Sequence, residues 1–399
     1  MTTTSWYLVQ RRIAMSRALF CLFLSGGIAW SDDKPKPGSP AENLAALMKV
    51  QKDAEAAYEK TATDLPDTVE GNKKGEELWM AFDKGQGVRL IAAFDLAKSD
   101  PKSEVAWTAL EWILANPRSY YLDAGIPAMK LAAEHHAANP KIAKTIARLG
   151  RMTPAEKVYP KEYDAAMTLL RAVAEKNTDR TARGQAMMGL AWEAFGKFAV
   201  AEYKRSSDEE KFAHEAEAAF ERVVKDYGDC MWLWGSGKRT LGEFAEQNLF
   251  ELRHLRIGKT APEIESNDLD GKKFKLSDSR GKVTLIVFWA SWCGPCMREV
   301  PHEKKLVERL KDKPFALIGV NGDEDAATAR KCVDKHGIPW RSFWDGERGS
   351  KESISDKWNL SGWPTVYLLD AKGTIRYKGL NREELDRAVD ELVSESVKK

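Results

Sequence analysis

The spacing of apolar positions divides the chain into two patterns. From residue 41 to about 252, Ala, Leu, Glu and Lys dominate and apolar residues recur three and four apart, as in Val105-Ala106, Ala109-Leu110 and Ile113-Leu114 before Asn116-Pro117. That period predicts amphipathic helices, with further segments over 126–138, closed by Asn139-Pro140, and over 163–175, 183–203 and 209–227. The stretch from Ala216 to Val224, small residues then an aromatic and an aliphatic pair, resembles the second helix of a tetratricopeptide repeat, for which Gly189-Leu190-Ala191-Trp192 is the candidate first helix. The connection is too long for a regular period, so a degenerate array of stacked helical hairpins is expected.

The pattern changes after Ile257-Gly258-Lys259-Thr260-Ala261-Pro262. Continuous apolar runs now predict strands over 283–289, 315–320 and 365–369, with shorter strands over 274–276 and 374–377. The turn Asp370-Ala371-Lys372-Gly373 joins the last two as a hairpin. Helical spacing returns over 297–311, 325–336, 350–358 and 382–393. Strands alternating with helices predict an α/β domain with a mixed sheet over 257–399, large enough for its own core. The expected fold class is therefore multidomain, an all-α region over 41–252 followed by an α/β domain.

The first thirty residues follow neither pattern. Arg11, Arg12 and Arg17 precede an apolar run from Ala18 to Ala29, followed by polar, Pro-rich Ser31-Asp32-Asp33-Lys34-Pro35-Lys36-Pro37. A basic start, a short apolar core and small residues at Ala29 and Ser31 predict a secretory signal over 1–31 and a linker over 32–40. The run is shorter than the roughly 20 residues of a spanning helix; an uncleaved membrane anchor is the alternative. Either reading places the protein in a periplasm-like, extracytoplasmic space. The formal net charge of +2, from 62 basic and 60 acidic residues, provides no field for nucleic acid.

Cysteine usage sharpens the chemistry. Beyond Cys21 in the signal segment, the chain has only Cys230, Cys293, Cys296 and Cys332, too few for a disulfide scaffold. Cys293 and Cys296 fall in Phe288-Trp289-Ala290-Ser291-Trp292-Cys293-Gly294-Pro295-Cys296, between a buried strand and a helix. The free N–H groups and positive dipole end of a helix start stabilise a thiolate there. A structural disulfide across so short a ring gains little loop-closure entropy. A zinc site would need two more ligands, and no second Cys-x-x-Cys exists. Redox use of the pair is the expectation, with neither metal nor cofactor. Trp292 would cover the first sulfur, and Gly362-Trp363-Pro364-Thr365 places a proline at the entrance of a strand, where a cis bond would turn the Trp363 backbone towards the sulfurs.

Residues from about Ile257 onward resemble the TlpA/ResA-like exported thiol–disulfide oxidoreductases of thioredoxin fold. The resemblance rests on Gly258-Lys259-Thr260-Ala261-Pro262, Leu269-Asp270-Gly271-Lys272, the Cys-Gly-Pro-Cys stretch with Glu299 and Pro301, and Gly362-Trp363-Pro364-Thr365. It implies a surface Cys293 that attacks a client disulfide, a less exposed Cys296 that resolves the mixed disulfide, and a cis Pro364 opposite them. Trp292, Trp363 and Thr365 would contact the client; Gly294, Pro295 and Glu299 would tune the couple. The partners implied are a disulfide- or dithiol-bearing client protein and a membrane or periplasmic electron donor. Thioredoxin carries a buried acid on the preceding strand where this chain has Val287, and its Gly-Pro dipeptide accompanies a reducing couple near about −270 mV. A reductant is the expected direction. Two alternatives stand beside it. One is a helical scaffold that binds a dedicated partner on which alone the redox domain acts. The other is a thiol peroxidase, disfavoured because Ala290 occupies the position three before Cys293 where that chemistry wants a hydroxyl.

Other residues invite bland readings. His135-His136 is expected on solvated helix surface, and His302 likewise. Trp107, Trp112 and Trp192 are expected as core knobs, and the charged run 204–211 as a loop and helix start. Cys230-Met231-Trp232-Leu233-Trp234-Gly235 is expected to pack between the two halves of the chain. Cys332 is expected as a passive thiol, with a Cys230–Cys332 disulfide as the alternative.

Overall fold

The computed structural model describes residues 38–116, 124–152, 160–234, 239–347, 350, 353–360 and 362–398. The stretch expected as a secretory signal, most of the expected linker, Pro117 and Gly235 lie outside them. Nine α-helices come first among the described residues: α1 (Pro40–Thr63), α2 (Val69–Ser99), α3 (Glu104–Ala115), α4 (Gly125–His135), α5 (Ala143–Met152), α6 (Pro160–Lys176), α7 (Arg180–Lys204), α8 (Glu209–Tyr227) and α9 (Leu241–His254). Polar caps set their starts: the side chains of Ser39, Thr68, Ser103, Asp179 and Thr240 each accept a first-turn backbone N–H. Each helix packs on a sequence neighbour, and α4 also packs on α6 and α5 on α7. Lengths from 10 residues in α5 to 31 in α2 give no constant period. The α5–α7 crossing is tight: a Cβ on Gly189 would stand 2.9 Å from the Gly150 Cα, so the two backbones touch.

The remainder is α/β. Its elements are β1 (Glu265–Asn267), β2 (Lys273–Lys275), β3 (Val283–Trp289), α10 (Gly294–Arg309), β4 (Phe315–Asn321), α11 (Ala326–His336), β5 (Arg341–Trp344), α12 (Ile354–Lys357), β6 (Thr365–Leu369), β7 (Ile375–Lys378) and α13 (Arg382–Val397). β1 and β2 form a two-stranded antiparallel sheet, and the others a five-stranded sheet in the order β5-β4-β3-β6-β7. β3 is parallel to β4 and antiparallel to β6, so the sheet is mixed. All seven residues of β3 are buried because both faces are covered. Val283, Leu285, Val287 and Trp289 enter a core with α10, α11 and α13. Ile286 and Phe288 enter the opposite core with Phe343, Trp358 and Tyr367, which Leu255 and Phe250 from the end of the helical region join.

Several side-chain expectations need correction. His136 is buried, its Nε2 2.7 Å from the Pro101 carbonyl oxygen and its ring tilted against Trp107. His302 is half-buried against Asp386 at 3.1 Å rather than solvated. Trp107 is a core knob, whereas Trp112 and Trp192 are only partly buried. Cys230 and Cys332 are free thiols in separate cores, so they are not paired. Of the expected 350–358 helical stretch, the described residues form α12, with residues 351 and 352 outside them, and β1 and β5 are strands that periodicity missed because neither exceeds four residues.

Candidate functional site

β3 ends at Trp289 and delivers the chain to the N-terminus of α10. Cys293 is the N-cap of that helix rather than a member of its first turn, and its Sγ accepts the Cys296 N–H at 3.1 Å. Pro295 lies in the first turn, where a missing N–H costs nothing. Cys293 and Cys296 form a disulfide with a Cα–Cα distance of 5.2 Å. The expected contrast in exposure is absent in this oxidised form: Cys293 is 4% exposed and Cys296 3%. Both belong to the core that Trp363 and Met297 flank, and the apolar neighbours exclude water from both sulfurs. Trp292, by contrast, is 50% exposed.

The Trp363–Pro364 peptide bond is cis. Thr365 pairs with Phe288 in the β3–β6 register, which brings the proline turn to the dithiol end of the sheet. The Trp292 and Trp363 rings meet edge to face with centroids 6.1 Å apart. A Cβ on Gly322 would stand 2.5 Å from the Trp363 ring, so only glycine lets the indole lie against that backbone. Of the sequence-predicted residues, Trp292, Cys293, Gly294, Pro295, Cys296, Trp363, Pro364 and Thr365 therefore converge at one end of β3 and β6. Glu299 lies further along α10, where the Arg382 guanidinium donates to it at 3.0 Å.

Two acidic residues escaped sequence reasoning. Asp323, just after β4, is buried and accepts hydrogen bonds from the Ser291 N–H and hydroxyl at 3.0 and 2.7 Å. The Asn321 amide donates to it as well, at 3.0 Å. It thereby fixes the turn that carries Cys293. The signal was the Asn-Gly-Asp run, which reads simply as a turn.

Glu303 is the second. It follows Cys296 by seven residues and shares the buried face of α10 with Cys296 and Val300, about 10 Å along the axis. It is 6% exposed, and burial, with a smaller contribution from the negative charge of Glu299, pushes its carboxyl up from 4.5 to about 8. Glu303 is thus neutral at pH 7. Cys332 also lies nearby, its Sγ 3.8 Å from the Met297 sulfur, and burial raises its pKa, which suppresses its thiolate.

Comparisons with known proteins find relatives of the C-terminal third of the chain. The Redoxin family model matches residues 256–393. The chain is 32% identical over 121 residues to the thiol–disulfide oxidoreductase ResA of Bacillus anthracis, covering 30% of this chain and 68% of that protein. It is 32% identical over 142 residues to the thioredoxin-like protein YneN of Bacillus subtilis, covering 34% of this chain and 80% of that protein. Among solved structures, the thioredoxin domain of a thiol–disulfide oxidoreductase from Bacteroides vulgatus matches with 29% identity and a TM-score of 0.32, over 34% of this chain and 97% of that one. Through its C-terminal third, the chain belongs to the ResA-like thiol–disulfide oxidoreductases of the Redoxin family.

Proposed function

We propose that the protein is an extracytoplasmic reductant of protein disulfides, working through Cys293 and Cys296. In the reduced enzyme the Cys293 thiolate attacks one sulfur of a client disulfide. The client S–S bond breaks, a Cys293–client mixed disulfide forms, and the first client sulfur leaves as a thiolate. Cys296, deprotonated, then attacks the Cys293 sulfur. The Cys293–Cys296 disulfide forms as the second client sulfur leaves, and two electrons have passed to the client. An external dithiol donor restores the enzyme. The helix N-terminus favours the Cys293 thiolate, and Pro364 and Thr365 present the backbone beside which a client strand lies. Trp292 and Trp363 supply an apolar platform for the client, while Gly294, Pro295 and Glu299 tune the couple.

The observation that carries this reading is the redox-capable pair capping α10 beside the cis Trp363–Pro364 turn. Export rests on the basic-apolar-polar order of the first 31 residues, read as a cleaved signal or retained anchor. We treat 41–252 as a helical unit and 257–399 as the redox unit. The test is dithiothreitol-coupled reduction of insulin: the wild type should turn it over and Cys293→Ser should not. Activity retained by Cys293→Ser would overturn the assignment, and rapid peroxide turnover would favour a peroxidase.

A further inference from the structure

The ties between the helical region and the redox domain fall in two groups. One holds β7 and α13: Lys378 of β7 reaches Glu202 of α7 at 2.6 Å and Glu251 of α9 at 3.6 Å, and the Tyr203 hydroxyl donates to Glu384 at 3.4 Å. The other converges on the short stretch 356–360, which leads from α12 towards the Trp363–Pro364 turn. Arg239, just ahead of α9, is ion-paired with Asp356. The Gln247 amide donates to the Asp356 carbonyl at 3.2 Å, and the Asn359 amide donates to Glu251 at 2.7 Å. Gln247 and Glu251 stand one turn apart on α9 and so share one face of it.

The stretch they hold has little local structure of its own. α12 is four residues long, and Asn359 follows its C-cap, Trp358, in the left-handed region with a φ of 48°. The Asn359 N–H donates to the Asp356 carbonyl at 3.0 Å, the same oxygen that Gln247 reaches. α9 therefore helps to close the C-terminus of α12. Apolar packing runs the same way. Phe250 and Leu255 from the helical side, and Leu360 and Trp363 from the redox side, all pack into the core of Phe288, Trp358 and Tyr367. The Trp363 ring meets Phe288 edge to face with centroids 6.2 Å apart. Both ends of the short span from Trp358 to Trp363 thus rest on a core that the helical region helps to build.

We propose that Arg239, Gln247 and Glu251 are positioning residues of the redox site: by holding 356–360 they set the Trp363–Pro364 turn in the geometry that a client backbone needs. This role rests on the dithiol reading and gives the helical region a part in the exchange, whose bond-making steps at Cys293 and Cys296 stay as described. A client peptide lies along the backbone at Pro364 and Thr365 before its disulfide comes into line with Cys293, so its rate depends on where the turn stands. A small disulfide needs only the Cys293 thiolate. Loosening 356–360 therefore slows peptides and spares small disulfides, a selectivity that partial unfolding or a duller thiol does not produce.

The test uses reduced full-length protein and two disulfides that release the same yellow thiolate. One is the symmetric thionitrobenzoate disulfide, and the other a peptide of about ten residues with thionitrobenzoate on its single central cysteine. Asn359→Gly suits the left-handed φ and removes the amide that Glu251 holds. Gln247→Ala removes the donor to the Asp356 carbonyl. The double variant should react at least about tenfold more slowly than wild type with the peptide, and within about twofold of wild type with the symmetric disulfide. Asn359→Gly alone should show the same selectivity at about threefold or more, which keeps the comparison decisive where the double variant fails to fold. Tyr203→Phe, which cuts the exposed tie to α13, should leave both rates unchanged. Equal slowing of both disulfides, or slowing of neither, overturns the positioning role. So does the same selective loss in Tyr203→Phe, because the effect would then belong to any contact between the two regions. Wild-type protein that releases thiolate from neither disulfide would instead overturn the dithiol reading beneath it.

Discussion

Replacing Glu303 by glutamine keeps the shape of the side chain and removes its charge, and the structure assigns that charge a cost. The folded protein holds the Glu303 proton to about pH 8, whereas an unfolded chain releases it near 4.5. The folded state thus binds more protons between those two values, and stability falls as pH rises through that window. At about 1.4 kcal/mol per pH unit, the gap corresponds to a ceiling of about 5 kcal/mol, of which about 3 kcal/mol is felt near pH 7. Below about pH 4.5 the carboxyl is neutral in both states and the penalty vanishes. Urea unfolding followed by tryptophan emission, for wild type and Glu303→Gln at acidic, neutral and alkaline pH, reads this directly. The two proteins should differ little near about pH 5. The variant should be more stable by about 3 kcal/mol near neutrality and by somewhat more at about pH 9. Stability curves that stay parallel across that range would refute the reasoning, because they would mean that Glu303 ionises in the folded protein as it does in water.

Other consequences follow from the ties around the site. Lys378→Met leaves the buried Glu202 carboxylate, 1% exposed, without its cation, and should cost about 3–5 kcal/mol by the same urea assay. Gly322→Ala places a methyl group where the Trp363 ring lies, so it should displace that indole, shift the tryptophan emission and slow insulin reduction severalfold. An unchanged rate and spectrum would mean that the Gly322 contact does not position the proline turn.

Much of the site was legible because its chemistry is local in sequence. A run of seven residues, all apolar but Thr284, marked β3, and the two cysteines beyond it fell at a helix start, where an N-terminus stabilises a thiolate. Gly362-Trp363-Pro364-Thr365 was readable as a turn, since proline at a strand entrance excludes most alternatives. The missed features depend on partners far along the chain. Nothing in the sequence near Asp323 says that Ser291 will donate to it from 32 residues away. Glu303 looks like an ordinary polar helix position until Cys296, Val300 and Leu306 define the buried face on which it sits. The surface position expected for Cys293 failed for a similar reason: exposure is decided by what packs over the sulfur, and Trp363 comes from another strand entrance 70 residues on. His136 went wrong because a helix surface becomes an interior once α3 covers it. The short strands β1 and β5 are held by pairing and carry too little periodicity to announce themselves.

The central claim is that Cys293 is the attacking sulfur and Cys296 the resolving one. In Cys296→Ser the first exchange can occur and the second cannot, so a client disulfide should remain covalently attached. Incubating that variant with oxidised insulin or a thionitrobenzoate peptide, quenching with acid and mapping the adduct by mass spectrometry locates the bond. The account predicts a single mixed disulfide at Cys293, lost on treatment with dithiothreitol. An adduct confined to Cys230 or Cys332, or none at all, would contradict it.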